Sequence, residues 1–469
     1  MKSMRSAWPW LCLMAGTLAL ASTPQRTTVV FKSATLPANA AAIVAGAGGR
    51  VTLAIPEIGV VEAECSAAAL EALRGNAAVA AASPSIDFRL SPLRMGEAEN
   101  REPALDVAAL AIPTNWYYKA LQWDIAQVTH GWASFFQASG SHATVVGIVD
   151  SGVNVNHYDL RANILGGRNF VDDGRPADYI RDWNGHGSHI AGTIAGSGAL
   201  GIAGVGPNLG IRAYRVSDAS GSAPSTRIIA GIVAAANDGV DVISLSMGGY
   251  DWIAGYKMDG DPGKTKDSSE HADWQANQRA AKYAVDHGVV MVVSAGNDAV
   301  DISNPSKVTD FLNLKYQNPP YNLPITFIGA SKRIFDVAGV ITVAATDENF
   351  VRASYSNFGA GAITLSAPGG DLTSDVQPYG LCLSSYMASN PDSSAPSGRY
   401  IFMVGTSMAV PKVSATAALI IDQAKARGEK LSPAQVAVIL KQTASHTGVG
   451  GHDKELGAGI VSAFSAVTR

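Results

Sequence analysis

Thr144-Val145-Val146-Gly147-Ile148-Val149-Asp150 decides the fold of this chain. After the leading threonine the run has no polar residue until it ends on a carboxylate. A short apolar run without alternation reads as a strand buried on both faces, the kind that parallel sheets carry. Outward from it, strands and helices alternate. A tightly packed small-residue helix is expected over residues 187–196, a strand over 211–216, a helix over 225–238 and a strand at Val242-Ile243-Ser244-Leu245. A helix over 275–287 leads into a strand over 289–293, and a further strand is expected over 340–345. Two helices follow, over 407–425 and 433–443, the second opened by Ser432-Pro433 as N-cap and first helical residue. This alternation predicts an α/β fold, a mostly parallel sheet flanked by helices. Three Gly-, Pro-, Asp-, Asn- and Ser-rich segments, 250–273, 300–332 and 370–399, break the pattern and read as irregular surface insertions.

The region before this unit reads differently. Lys2 and Arg5 precede an apolar run over residues 7–21 that ends in the small-x-small triplet Ala19-Leu20-Ala21. That is the layout of a cleaved export signal, and the run is shorter than the ~20 residues of a membrane span. Residues 27–90 then form a small α+β pattern: strands at Thr28-Val29-Val30-Phe31, Val51-Thr52-Leu53-Ala54-Ile55 and Val60-Val61-Glu62-Ala63-Glu64, a helix over 67–73 and extended residues over 79–88. A unit of this size is marginal alone and is expected to fold against a larger surface. Residues 91–115 read as an exposed linker where a processing cut would fall. The large unit spans 116–469. With 47% apolar and 16% charged residues and a net charge of −4, the chain can bury a large core and carries no nucleic-acid or polybasic membrane signature. Of three cysteines, Cys12 leaves with the signal and Cys65 lies in the 27–90 unit, so only Cys382 remains and no internal disulfide is expected.

Three words carry chemistry. Val149-Asp150-Ser151-Gly152 puts an acid at the end of a buried strand, the edge where open α/β sheets gather their sites. Asn184-Gly185-His186-Gly187-Ser188-His189 puts a Gly-flanked histidine at the start of a helix. Gly405-Thr406-Ser407-Met408-Ala409-Val410-Pro411 puts a serine at another helix N-terminus, where free N–H groups and the dipole favour developing negative charge. Alone, each has a structural reading: a buried acid, a packed histidine, an N-cap serine. In this order and spacing they resemble the subtilisin-like serine proteases (subtilases, peptidase S8), whose Asp…His…Ser order differs from that of chymotrypsin and the α/β-hydrolases. The resemblance covers residues 116–469, and the 27–90 unit is similar to the family's inhibitory, chaperone-like I9 propeptide.

The resemblance implies a secreted or periplasmic serine endopeptidase made as a self-processing zymogen, acting through an acyl-enzyme on protein or peptide substrates. Asp150, His186 and Ser407 would be its triad, with Asn297, in Ser294-Ala295-Gly296-Asn297-Asp298, as oxyanion donor. Ser246-Met247-Gly248 matches the family's edge that pairs with substrate backbone, and Ser294-Ala295-Gly296 the opposite wall of the first pocket. The chain's own propeptide would be its first partner, with no stable membrane anchor after signal removal. His189 and His157 read as structural, since His186 and His189 lack the spacing and glutamate of a zinc pair. No cofactor is required for the chemistry. Asp159 matches a family calcium ligand, yet one carboxylate falls short of the six to eight oxygens calcium takes, and the loop 196–206 lacks the family's asparagine. Ser188 stands where Thr is usual, and Val410 and Lys412 replace the usual small or polar residue and histidine, read as a packing or surface change. Two alternatives stay open: a protease dedicated to one precursor, which the insertions with Tyr250 and Trp252 would suit, and a non-catalytic binding protein on the same scaffold.

Overall fold

The computed structural model describes residues 24–90, 93–98, 115–252, 256–258, 271–318, 325–327, 331–333, 335–374, 380–446 and 453–469. The expected signal segment 1–21 lies outside the described residues, as do most of the 91–115 segment and of the 250–273 insertion.

At the N-terminal end, β1 (Gln25–Phe31), α1 (Ala40–Gly46), β2 (Arg50–Ile55), β3 (Val60–Cys65), α2 (Ala67–Arg74) and β4 (Val79–Pro84) form a four-stranded antiparallel sheet, order β2-β3-β1-β4, with two helices. Alternation along β1 serves two cores. Val29 and Phe31 meet Val44, Leu70 and Leu73 inside this unit, while Val30 joins Ile55, Ile58 and Val60 in a core shared with the large unit. The chain then leaves this sheet: β5 (Asp87–Arg89) and β6 (Leu93–Ala98) pair instead with strands of the large unit. Residues 93–98, read as exposed linker, are therefore strand; the pairing comes from a distant partner and leaves no mark in their own sequence.

In the large unit, α3 (Trp123–Thr129), β7 (Val145–Asp150), β8 (Ile164–Asn169), α4 (His186–Ala195), β9 (Gly210–Arg215), β10 (Ser222–Pro224), α5 (Ser225–Asn237) and β11 (Val242–Leu245) come first. Next are β12 (Tyr250–Trp252), β13 (Tyr256–Met258), α6 (His271–Asp286), β14 (Val290–Ser294), α7 (Pro305–Gln317), β15 (Ile325–Phe327), β16 (Ser331–Arg333), β17 (Ile341–Thr346) and β18 (Leu365–Pro368). The chain ends through β19 (Cys382–Ser385), β20 (Tyr400–Val404), α8 (Thr406–Ala426), α9 (Pro433–Gln442) and α10 (Ala463–Val467). Seven strands make one parallel sheet, order β18-β17-β14-β11-β7-β9-β8. Its central strands β7, β11 and β14 are mainly apolar because consecutive residues enter different cores. Val146, Ile148, Val242, Val290 and Val292 face the α4 and α8 side, and Val149, Ile243, Leu245, Met291 and Val293 face the α5 and α6 side. The α/β reading holds.

The insertions are more regular than their composition implied. In the 300–332 segment, α7 starts on an Asn304 side chain that accepts from the Ser306 and Lys307 amides, with Pro305 in its first turn. The 250–273 and 300–332 segments pair with each other, β12 with β16 and β13 with β15. Helix α6 begins at His271, inside the first of them, and β19 lies inside the third.

Candidate active site

Asp150 ends β7 and is fully buried. Both its carboxylate oxygens meet His186 Nδ1, at 2.8 and 2.9 Å, and Oδ1 also accepts from the Ser151 amide. This fixes the proton on Nδ1 and turns Nε2 away from the acid. His186 is the first residue of α4, after Gly185 at φ 98°. A side chain at Gly185 would run into the Tyr386 ring, 2.0 Å away, so only glycine fits this turn.

Asp182 builds the start of that helix, and the sequence reading passed over it. Its Oδ1 accepts from the Asn184 and Gly185 amides and from Ser151 Oγ; Oδ2 accepts from the Ser188 amide and hydroxyl. One buried carboxylate thus ties the acid loop to the histidine helix. An acid just ahead of a helix start was the available signal.

Ser407 is the second residue of α8. Pro411 has no N–H to offer the Ser407 carbonyl one helical turn back. The Ser246 hydroxyl donates to that carbonyl at 2.9 Å, and the Ser407 hydroxyl donates to the Ser246 carbonyl at 2.9 Å. Among the described residues no hydrogen bond joins the Ser407 hydroxyl to His186. Asn297 is held through its Oδ1, which accepts from the Thr406 amide and hydroxyl at 2.9 and 2.8 Å. Its Nδ2 is left on the Gly405 side. A Cβ placed on Gly405 would sit 3.4 Å from Asn297 Nδ2 and 3.6 Å from the Ser407 amide nitrogen. Both nitrogens therefore border one small space beside the serine, with Met408 Sδ at 3.7 Å on another side. Asn357 pins the loop carrying Asn297, accepting from the Asp298 and Val300 amides and donating to the Ala295 carbonyl. Tyr250 and Lys315, from two of the insertions, both hold Asp298 at 3.1 Å.

The expected wall segments meet: the glycine face of Gly248 lies against Ser294. Beyond them, Gly249 faces the Phe88 ring of the N-terminal unit, and Phe88 and Leu90 are buried. A second edge, which the sequence reading did not single out, carries backbone pairing with the N-terminal unit. β5 pairs antiparallel with β10, Asp87 opposite Pro224 and Arg89 opposite Ser222, and the Leu90 amide donates to the Gly221 carbonyl at 2.7 Å.

His189 points elsewhere. Its Nε2 meets the Cys382 carbonyl at 3.0 Å, and burial brings its imidazole down to about 3, so it is neutral. His157 is buried against the Arg399 carbonyl, and burial lowers its pKa too. Asp159 does not fit calcium. Its oxygens accept from the Leu200, Gly201 and Ile202 amides and the Tyr400 hydroxyl, a cage of donors rather than of further oxygen ligands. Lys412 is not a surface change. It is fully buried, paired with Asp124 at 2.7 Å, and donates to the Met408 carbonyl at 3.0 Å.

A carboxylate-held imidazole, a serine at a helix N-terminus and a space bordered by two N–H donors are the parts of a nucleophilic acyl-transfer site. The chain belongs to the subtilase family, peptidase S8, whose family model matches residues 141–459. It is similar to the epidermin leader peptide-processing serine protease EpiP of Staphylococcus epidermidis, 30% identical over 64% of this chain and 65% of that protein. Subtilisin DY of Bacillus licheniformis is 33% identical over 65% of this chain and 84% of that one. Among solved structures, EpiP from Staphylococcus aureus shares the fold over 95% of this chain and 98% of its own, with a TM-score of 0.73 at 24% identity. A lanthipeptide protease covers 75% of this chain and 94% of its own, with a TM-score of 0.59 at 29% identity.

Proposed function

We propose that the protein is a serine endopeptidase that cuts peptide bonds through an acyl-enzyme, with Asp150, His186 and Ser407 as its triad. The observation that carries this is the buried Asp150–His186 pair, with Asn297 Nδ2 and the Ser407 amide nitrogen both bordering the space at Gly405 next to the serine. Ser407 swings from the Ser246 carbonyl to His186 Nε2 and gives up its proton as its oxygen attacks the scissile carbonyl. The oxyanion enters the space beside the two N–H groups, where loss of one donor costs about 10²–10³ in kcat. His186 passes the proton to the leaving amine, then activates the water that frees the acid product. Asp150 holds the imidazole throughout.

The chain is made as a zymogen in this reading. Residues 1–21 direct export, and residues 27–90 are an inhibitory, chaperone-like propeptide that the enzyme removes itself. Phe88 and Leu90, buried on the Gly221–Pro224 side of the cleft, support that role. Among the described residues no helix is long and apolar enough to cross a membrane. The second reading is a narrower activity, cleavage of one leader peptide, which the likeness to EpiP suggests. Comparable rates on many unrelated peptides would exclude it.

The test is Ser407→Ala. The wild-type chain is expected to shorten to a form starting beyond the propeptide and to digest casein; the variant is expected to lose only the signal and to be inert. Identical masses, N-termini and casein hydrolysis for the two would remove Ser407 as nucleophile.

A further inference from the structure

Asp298 follows Asn297 in the chain, and two of the insertions converge on it. Tyr250, the first residue of β12, comes from one; Phe311 and Lys315, on α7, come from the other. The Tyr250 hydroxyl donates to Asp298 Oδ2 at 3.1 Å, and Lys315 Nζ donates to Oδ1 at 3.1 Å. The Phe311 ring lies beside both, 6.0 Å from the Tyr250 ring and 5.1 Å from Lys315 Nζ. Leu312 and Phe327 share one core with Ala295, so the second insertion is packed onto the loop that carries Asn297.

The tyrosine closes a ring of hydrogen bonds. The Asp298 amide donates to Asn357 Oδ1 at 3.1 Å, Asn357 Nδ2 donates to the Tyr250 hydroxyl oxygen, and that hydroxyl donates back to the Asp298 carboxylate. Asn357 Nδ2 also donates to the Ala295 carbonyl at 2.8 Å, and the Asn357 amide donates to the Gly296 carbonyl at 3.0 Å. Asn297 is thus bracketed, with Gly296 before it and Asp298 after it both tied to Asn357. The loop has need of such ties. Gly296 sits at φ 103° and Ala299 at φ 55°, a left-handed conformation that costs an alanine free energy and persists only where its neighbours fix it. The Asn297 side chain is fastened at one point only, its Oδ1 on Thr406. Where its Nδ2 aims therefore depends on where its backbone lies.

We propose that Tyr250 is a positioning residue for the reaction: through Asp298 and Asn357 it fixes the backbone of Asn297 and so aims Nδ2 at the oxyanion. Lys315 acts the same way on the other carboxylate oxygen. The ring touches no reacting atom. Its loss leaves substrate binding in place and weakens only the stabilisation of charge that develops during the reaction. The insertions then serve the chemistry itself. The proposal rests on the endopeptidase reading, with Asn297 as oxyanion donor.

The experiment is a double-mutant cycle of Tyr250→Phe and Asn297→Ala on the full chain, after removal of the N-terminal unit. Where self-processing is slow, a tagged wild-type enzyme makes the cut and is then withdrawn. kcat and KM are read on dye-labelled casein. Tyr250→Phe alone is expected to lower kcat about threefold to tenfold, a part of the ~10²–10³ that loss of the donor costs. KM is expected to stay within about twofold. In the Asn297→Ala background, Tyr250→Phe is expected to change kcat little, because the group it aims is gone. An unchanged kcat for folded Tyr250→Phe, or an equal loss in both backgrounds, would overturn the proposal and leave the endopeptidase reading standing. If circular dichroism shows Tyr250→Phe unfolded, Lys315→Met takes its place in the same cycle, and Lys315→Arg is expected to restore kcat. Failure of the wild-type enzyme to cut casein would remove both readings.

Discussion

At the scale of single residues, the departures from the family pattern are the informative ones. Lys412 stands where the family has histidine, on the helix that carries Ser407. Burial by itself would lower its pKa, and the Asp124 carboxylate more than offsets that, keeping the ammonium charged. The pair links α8 to α3 with no water-exposed face. Buried pairs of this kind contribute little net stability, but losing one partner strands the other. Lys412→Met is therefore expected to lower the unfolding free energy by about 3–5 kcal/mol in urea titrations. The double variant Lys412→Met with Asp124→Leu is expected to recover most of that loss. If the double variant is as unstable as the single, the stranded charge is not the cause. The sequence told that Lys412 was unusual but not where it lay, because its partner sits in a helix that the sequence pattern did not disclose.

At the scale of elements, what could be read from sequence follows how each element gets its shape. The central strands were legible because both faces are buried and nearly every residue is apolar. Helices α4, α5, α8 and α9 were legible from small or periodic apolar residues between clear starts and stops. β6 and β10 were not, because each is extended only by pairing with a segment remote in sequence. Helix α7 had a readable start in Asn304-Pro305, masked by the polar, loop-like composition around it. Within the candidate site, the three key residues stood in distinctive words, whereas Asp182 was a lone acid whose value comes from five donors converging on it. Asp182→Ala leaves those donors without their acceptor. It is expected to cost about 2–4 kcal/mol of stability and to reduce kcat more than KM, because the turn that aims His186 loosens. Denaturation curves and steady-state kinetics together check this; unchanged kcat in a folded variant would separate the cap from the reaction.

At the scale of the whole molecule, the N-terminal unit and the large unit share a core and a buried acid. Asp273, at the start of α6, accepts from the Thr28 hydroxyl at 2.6 Å and the Ile86 amide at 2.7 Å. Burial pushes its carboxyl up to about 7, against the hydrogen bonds from Thr28, Ile86 and Ser225, with Asp87 adding to the rise. A pKa raised in the joined state above the ~4 of a free carboxylate means that the joined state holds the proton more tightly. Its contribution is whole below about pH 4 and is lost as pH climbs through about 7. In the Ser407→Ala background, thermal stability of the joined chain is therefore expected to fall between pH 5 and 7.5, and Asp273→Asn to flatten the fall. Equal slopes with and without Asp273→Asn would rule out this carboxylate as the source.

The edge of β20 has a consequence for the protein in storage. Five strand-prone residues with one bare side form a template for pairing with any extended chain, including the same edge of another molecule. While β6 covers that side, the edge is closed to such pairing. In the zymogen reading, loss of that cover would open the template, so the processed enzyme is expected to associate more readily than the full-length chain as concentration rises.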